Sequence, residues 1–183
     1  LAELRQQMNP LASKPQIQFF EGRDGARTVF DATLEAREKT LLAFLSLADT
    51  ADLIGPDYLE DYTNRRIKRG YLLHVLRTME KDKLAMNSNF FARKYVTNKA
   101  QRREVRYLSD DLAFPLSMYL FDNKTAIMSS REENFGMIIE SREFCEMQKK
   151  LFMLLWDRAE QETPLSKRGR KLKRMGQAQS GRK

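Results

Sequence analysis

The segment 114–156 leaves few folds open. It places three short apolar runs, 118–121, 125–128 and 135–139, between two polar turns. Asp122 and Asn123 form the first turn, because both side chains tolerate left-handed backbone and can bond their own main chain. Residues 129–134 form the second. Runs and turns in this order predict a three-strand meander. Ser141 then stands where it can cap a helix whose apolar positions are Phe144, Met147 or Gln148, Leu151, Phe152, Leu155, Trp156 and Ala159. Glu143 suits the positive end of that helix. A meander feeding a long amphipathic helix predicts a sheet covered on at least one face.

Upstream, strand and helix signals alternate. Residues 17–20 predict a strand ended by Glu21 and Gly22. Asp24 is the expected cap of a helix with Ala26, Val29, Phe30, Thr33 and Leu34 inward. The unbroken apolar run 41–45 predicts a central strand buried on both faces. Residues 46–56 are expected as a loop, with Gly55 and Pro56 as its punctuation. From Asp57 a helix places Leu59, Tyr62, Arg66 and Ile67 on one face and ends in Arg65, Arg66, Lys68 and Arg69, with Gly70 fitting the left-handed cap. That basic turn offsets the helix dipole or, alternatively, holds a phosphate. Residues 71–76 predict a further buried strand, so strand, helix and strand make a parallel crossover. Residues 80–101 are polar but carry Met86, Phe90, Phe91 and Tyr95, as a loosely packed helix or a lid would. Residues 104–108 predict another strand. The expected class is α/β (α+β): a mixed sheet flanked by helices. No repeat of solenoid period is visible.

The chain has 183 residues and 42% apolar content, enough for one domain with a core. It starts at Leu1, which suggests a fragment or a processed chain, and Leu1, Leu4 and Met8 share one helical face before Asn9 and Pro10 stop it. No run is long enough to span a membrane and no signal-peptide core is present, so no membrane partner and a cytoplasmic location are expected. The single Cys145 excludes an internal disulfide; it is a buried thiol, or one whose pKa the helix N-terminus lowers. The net charge of +8 lies wholly in the last residues. Residues 166–183 hold eight basic residues and no acid; the remaining 25 basic residues match the 25 acidic ones. A neutral body argues against a broad basic binding face. The Gly-rich basic tail is expected to be disordered. It either solubilises the chain or adds salt-sensitive affinity for nucleic acid or anionic lipid, with Lys167, Arg168, Arg170, Lys171, Lys173 and Arg174 as the contacts.

Familiar catalytic patterns are missing. The one histidine, His74, lies within an apolar strand and has no partner in sequence. One His and one Cys are too few for a zinc site. No Gly-rich phosphate loop is present. The acidic pairs Asp110-Asp111 and Glu132-Glu133 sit in polar turns, as solvated residues do. No enzymatic activity, cofactor or metal is expected.

Six motifs recur in one order. They are Pro15-Gln-Ile-Gln-Phe-Phe-Glu-Gly22 before a helix, Tyr62-x-x-Arg-Arg-Ile-Lys-Arg-Gly70 before a strand, and Arg103-Glu-Val-Arg-Tyr-Leu108 ahead of Phe114-Pro115. Asp122-Asn-Lys-Thr-Ala-Ile127, Gly136-x-Ile-Ile-Glu140 and Phe152-x-x-Leu155-Trp156 follow. Over roughly 12–160 the chain resembles the region downstream of the winged helix in the TrmB family of archaeal and bacterial transcriptional regulators. The resemblance implies a phospholipase-D-like fold that senses an effector and dimerises. It divides the chain into the end of a coiled-coil connector (1–11), the sensor (12–162) and the basic tail (163–183). A winged-helix module outside this sequence would read DNA. The sugar-binding domain of larger family members would not fit, so a sugar is not carried over. Active phospholipase-D-like proteins carry His-x-Lys-x-x-x-x-Asp; with the Asp on Asp122, Pro115 takes the His position and Ser117 the Lys position, and Ser129-Ser130 fall where a Gly-Ser pair follows.

The expected function is thus a homodimeric, effector-sensing domain of a DNA-binding regulator. Its effector is unnamed, and Ser46, His74, Arg106, Tyr119 and Ser129 are the candidate ligand-binding residues. The alternatives are a phosphodiesterase or nuclease using His74, and a nucleic-acid-binding module acting through the tail.

Overall fold

A computed structural model describes residues 14–78, 100–129 and 132–161. The expectations for the connector at 1–11, for Met86, Phe90, Phe91 and Tyr95, for Ser130 and for the tail contacts at 167–174 lie outside the described residues.

In chain order the elements are β1 (Gln16–Glu21), α1 (Gly22–Thr33), β2 (Thr40–Phe44), α2 (Leu47–Ile54), α3 (Pro56–Lys68), β3 (Leu72–Thr78), β4 (Arg103–Leu108), β5 (Ser117–Phe121), β6 (Lys124–Met128), β7 (Phe135–Glu140), α4 (Arg142–Arg158) and β8 (Glu160–Gln161). Among the described residues the strands form one mixed sheet in the order β1-β7-β6-β5-β2-β3-β4-β8. β2, β3 and β4 run parallel, as the crossover pattern requires, and the remaining pairs are antiparallel. The meander is β5–β6–β7. Its first turn holds Asp122 at φ 47°, and Asn134 takes φ 53° before β7.

Strand side chains alternate between two cores. One face buries Leu41, Ala43, Leu73, Val75, Tyr119 and Phe121 beneath α1, α2 and α3. α1 approaches the sheet closely at Gly136, where an added Cβ would lie 2.7 Å from Val29 Cγ2. The other face buries Phe44, Leu76 and Leu120 beneath Cys145, Phe152 and Trp156 of α4. The α4 cap is as expected: Ser141 Oγ accepts from the Phe144 amide at 3.4 Å.

Three local expectations are corrected, and of the two readings of Cys145 the buried thiol holds. Residues 47–54 are helical, because Ser46 Oγ accepts from the Asp49 amide and Leu47, Thr50, Ala51, Leu53 and Ile54 are all buried. α1 starts at Gly22, whose φ of 72° lets the chain turn out of β1, and Asp24 lies within its first turn instead of capping it. Arg66 is buried and does more than oppose a dipole. Its Nη1 donates to the Tyr71 and Arg102 carbonyls at 3.0 and 3.1 Å, and its Nη2 to the Gln101 carbonyl at 2.5 Å. It therefore ties the end of α3 to the start of β4. Cys145 is buried, its Sγ 3.2 Å from the Lys124 carbonyl, and burial pushes its thiol pKa up, opposite to the effect expected of a helix N-terminus.

Candidate functional site

The sheet order brings the ends of β2, β3, β4 and β6 and the start of β5 to one edge of the molecule. Small hydroxyls collect there. Ser117 Oγ and Thr50 Oγ1 are 3.2 Å apart and buried. Ser46 caps α2. Ser129 closes the β6–β7 connection, accepting from the Phe135 amide at 2.8 Å and donating to its carbonyl at 3.1 Å.

Below this edge, on the α1–α3 face, a cavity of about 20 Å³ is lined by Tyr62, Arg66, Arg77, Arg103 and Tyr119 with apolar neighbours. It is about the size of one water. Tyr62 and Thr33 share a hydrogen bond at 2.7 Å, and burial drives the Tyr62 hydroxyl well above its ordinary pKa. Burial raises Tyr119 as well, and lowers Arg66.

On the α4 face His74, Glu104, Arg106 and Trp156 form a second cluster. The His74 ring stacks on Trp156 at 5.0 Å and 20°. Arg106 lies over the same indole at 4.5 Å and donates to the Trp156 carbonyl at 2.8 Å. Glu104 is 3.8 Å from His74 Nε2 and 3.5 Å from Arg106 Nη2. Burial lowers the His74 pKa; Glu104 opposes that shift and Arg106 adds to it. Burial thus favours the neutral form of the imidazole, which lies flat against the indole.

The five candidate residues thus divide. His74 and Arg106 meet on the α4 face, Tyr119 faces the opposite core, and Ser46 and Ser129 stand at strand ends. Strand parity in the sequence already separates His74 from its neighbours Leu73 and Val75. The relation of Tyr119 to His74 needs the β5–β2–β3 order, which is a long-range pairing.

Asp122 has a structural task. Its carboxylate accepts from the Arg37 amide at 3.1 Å and the Glu38 amide at 3.0 Å, pinning the α1–β2 connection to the meander. Lys149 of α4 donates to the Asp122 carbonyl at 2.9 Å and to Glu38 at 3.1 Å. Ser117, at the position the motif gives to Lys, bonds Thr50. Among the described residues no three His, Cys, Asp or Glu side chains cluster to hold a metal, and no helix is long and apolar enough to cross a membrane.

Solved structures share this architecture. NucT from Helicobacter pylori superposes with a TM-score of 0.60 at 10% identity, over 81% of this chain and 100% of its own. Nuc from Salmonella typhimurium, a phospholipase D family member, gives 0.53 at 15% identity, over 81% and 99%. The fold is phospholipase-D-like. TrmBL2, an archaeal chromatin protein with a novel mode of DNA binding, matches over 88% of this chain with a TM-score of 0.53 at 20% identity. This chain spans 60% of the TrmBL2 chain. No protein-family model and no curated protein matches the sequence.

These likenesses correct one expectation, that a chain lacking the His and Lys of one motif is no enzyme. A phospholipase D family member and a chromatin protein share its fold, so neither the fold nor that motif decides whether the chain is catalytic.

Proposed function

We propose that the chain is the effector-sensing and dimerising domain of a TrmB-like DNA-binding transcriptional regulator. Residues 12–162 form the sensor in this reading. A winged-helix module outside the sequence carries the DNA contact, the protein works in the cytoplasm as a homodimer, and the basic tail adds a salt-sensitive contact. The supporting observation is the likeness to TrmBL2 along 88% of the chain, beside the six ordered motifs of the sequence.

A ligand can switch such a domain only by binding two arrangements unequally. The hydroxyl-rich strand ends and the His74–Arg106 cluster are two places among the described residues where polar groups meet apolar walls, and either can discriminate. A thermal-shift panel of nucleotides, amino acids and organic acids tests this reading. A true effector at 100 times its Kd stabilises by about 2.7 kcal/mol and shifts the dimerisation constant. A panel without any shift, on a chain that is monomeric at micromolar concentration, would refute it.

A phosphodiester-cleaving activity is the second reading, favoured by the shared fold with Nuc. It predicts metal-independent hydrolysis of bis(p-nitrophenyl) phosphate that disappears in His74→Ala. Hydrolysis at the uncatalysed rate removes it.

A further inference from the structure

β1 is the end strand of the sheet among the described residues, and its exposure is unusual for an edge. Ile17 is 64% exposed and Phe19 58%. Both lie on the α4 face, opposite Ile139 and Met137 of β7. The main sheet contacts of α4 are with β4, β5 and β6. One flank of α4 carries Lys149, turned to Glu38 and the β5–β6 turn. Met147, Leu151, Met153 and Leu154 of α4 are exposed as well. Apolar side chains therefore stand in solvent both on this helix and on the bare half of the sheet.

Edge strands are ordinarily protected by Lys, Pro, a bulge or a covering element. Gln16–Glu21 contains no Lys, Arg or Pro, and its pairing with β7 is unbroken. The Gly22 amide donates to the Asn134 carbonyl at 2.8 Å, in register with the β1–β7 ladder. Even-numbered residues of β1 therefore bond β7, and the amides and carbonyls of Ile17, Phe19 and Glu21 point outward.

We propose that this edge is the contact surface for a second copy of the chain, with β1 pairing antiparallel to the partner's β1 about a two-fold axis through Gln18. The inference rests on the dimerisation in the reading above and adds its surface. Three features select this occupant and this register. A sheet continued with both α4 helices on one face must oppose residues of equal parity. Centring on Gln18 sets Ile17 against the second copy's Phe19 and Phe19 against its Ile17, joining four apolar side chains at the axis. The outward groups then form about six hydrogen bonds, and the ladder stops where Pro15 has no N–H. The interface is isologous and closes on itself, so it makes a dimer and not a filament.

The axis sets up the test. Gln18 and its symmetry mate become a non-hydrogen-bonded pair, with Cα atoms about 4.5 Å apart. That separation admits a disulfide. Under oxidised glutathione, Gln18→Cys in the whole chain should form a covalent dimer, whereas the wild type, with Cys145 buried, should not. In sedimentation equilibrium, Ile17→Lys and Phe19→Lys should each raise the dimer dissociation constant at least tenfold; the Ile17→Lys monomer should keep the wild-type melting curve, and the Phe19→Lys monomer, which loses the stack of Phe19 on Phe135 at 5.2 Å, should keep the wild-type circular dichroism. A dimer that survives both lysines and gives no Gln18→Cys cross-link overturns this surface and leaves the dimerising reading standing. A wild type that stays monomeric to about 100 µM overturns both. So does a monomer in which residues 1–13 already protect the β1 edge.

Discussion

The two faces of the sheet are built from the same strands and end up in different states. The α1–α3 face is closed: three helices cover it, and its polar groups are spent internally, as in the Tyr62–Thr33 pair and in Arg66 with its three carbonyls. The α4 face is half finished. One helix covers β4 to β6, while Ile17 and Phe19 on the sheet and Met147, Leu151 and Leu154 on the helix stay in water. The first face accounts for the fold and the second leaves surface for recognition. Exposed apolar side chains in such number are a frequent mark of a binding site.

That contrast can be broken most strongly from the closed side. Phe30 is fully buried and meets Tyr62 and Tyr119 edge-on, at 4.9 and 5.4 Å. Phe30→Ala should cost about 4 kcal/mol in urea unfolding. A loss below about 1 kcal/mol would mean that this core is not the main support. Asp122→Ala, which leaves two amides of the α1–β2 connection without their acceptor, should cost about 1–2 kcal/mol. Ser141→Ala should cost about 1 kcal/mol by uncapping α4, with the loss confined to the open face in hydrogen exchange. Ile17→Lys should change monomer stability by less than about 0.5 kcal/mol, because the residue stands in solvent when the chain is alone.

The smallest effect is one of pH. Burial lowers the His74 pKa, so the folded chain binds this proton less readily than the unfolded chain does. Its contribution to stability is complete above the unfolded value of about 6.5 and is lost as the pH falls below it. Urea unfolding at pH 7.5 and at pH 5.5 should show less of that loss in His74→Phe than in the wild type. Equal pH dependence in the two would assign the effect to another group.

Where the governing chemistry is local, the sequence is legible. Asp122 in its left-handed turn, Gly70 at φ 80° and Ser141 on the Phe144 amide are all decided within a few residues. The meander and the parallel crossover follow from run lengths and punctuation. What escapes is long-range. Arg66 reaches carbonyls as far as 36 residues away, which the local readings of its charge, a dipole partner or a phosphate site, do not contain. The short helix α2 hides beside Gly55-Pro56, a loop signal that in fact marks the joint between two helices. β8 is two residues long and has no pattern of its own. The candidate site divides between the two faces because strand order, which no single strand encodes, places Tyr119 opposite His74.

Hydrogen exchange along β1 is the most direct test of the open edge. Backbone amides of Ile17, Phe19 and Glu21 point away from β7, and those of Gln18 and Phe20 point into it. Raising the chain concentration from about 1 to 100 µM should slow exchange at the three outward amides at least tenfold and leave the two inward ones unchanged. Outward amides that exchange at one rate across that range would contradict the claim that this edge meets a second copy.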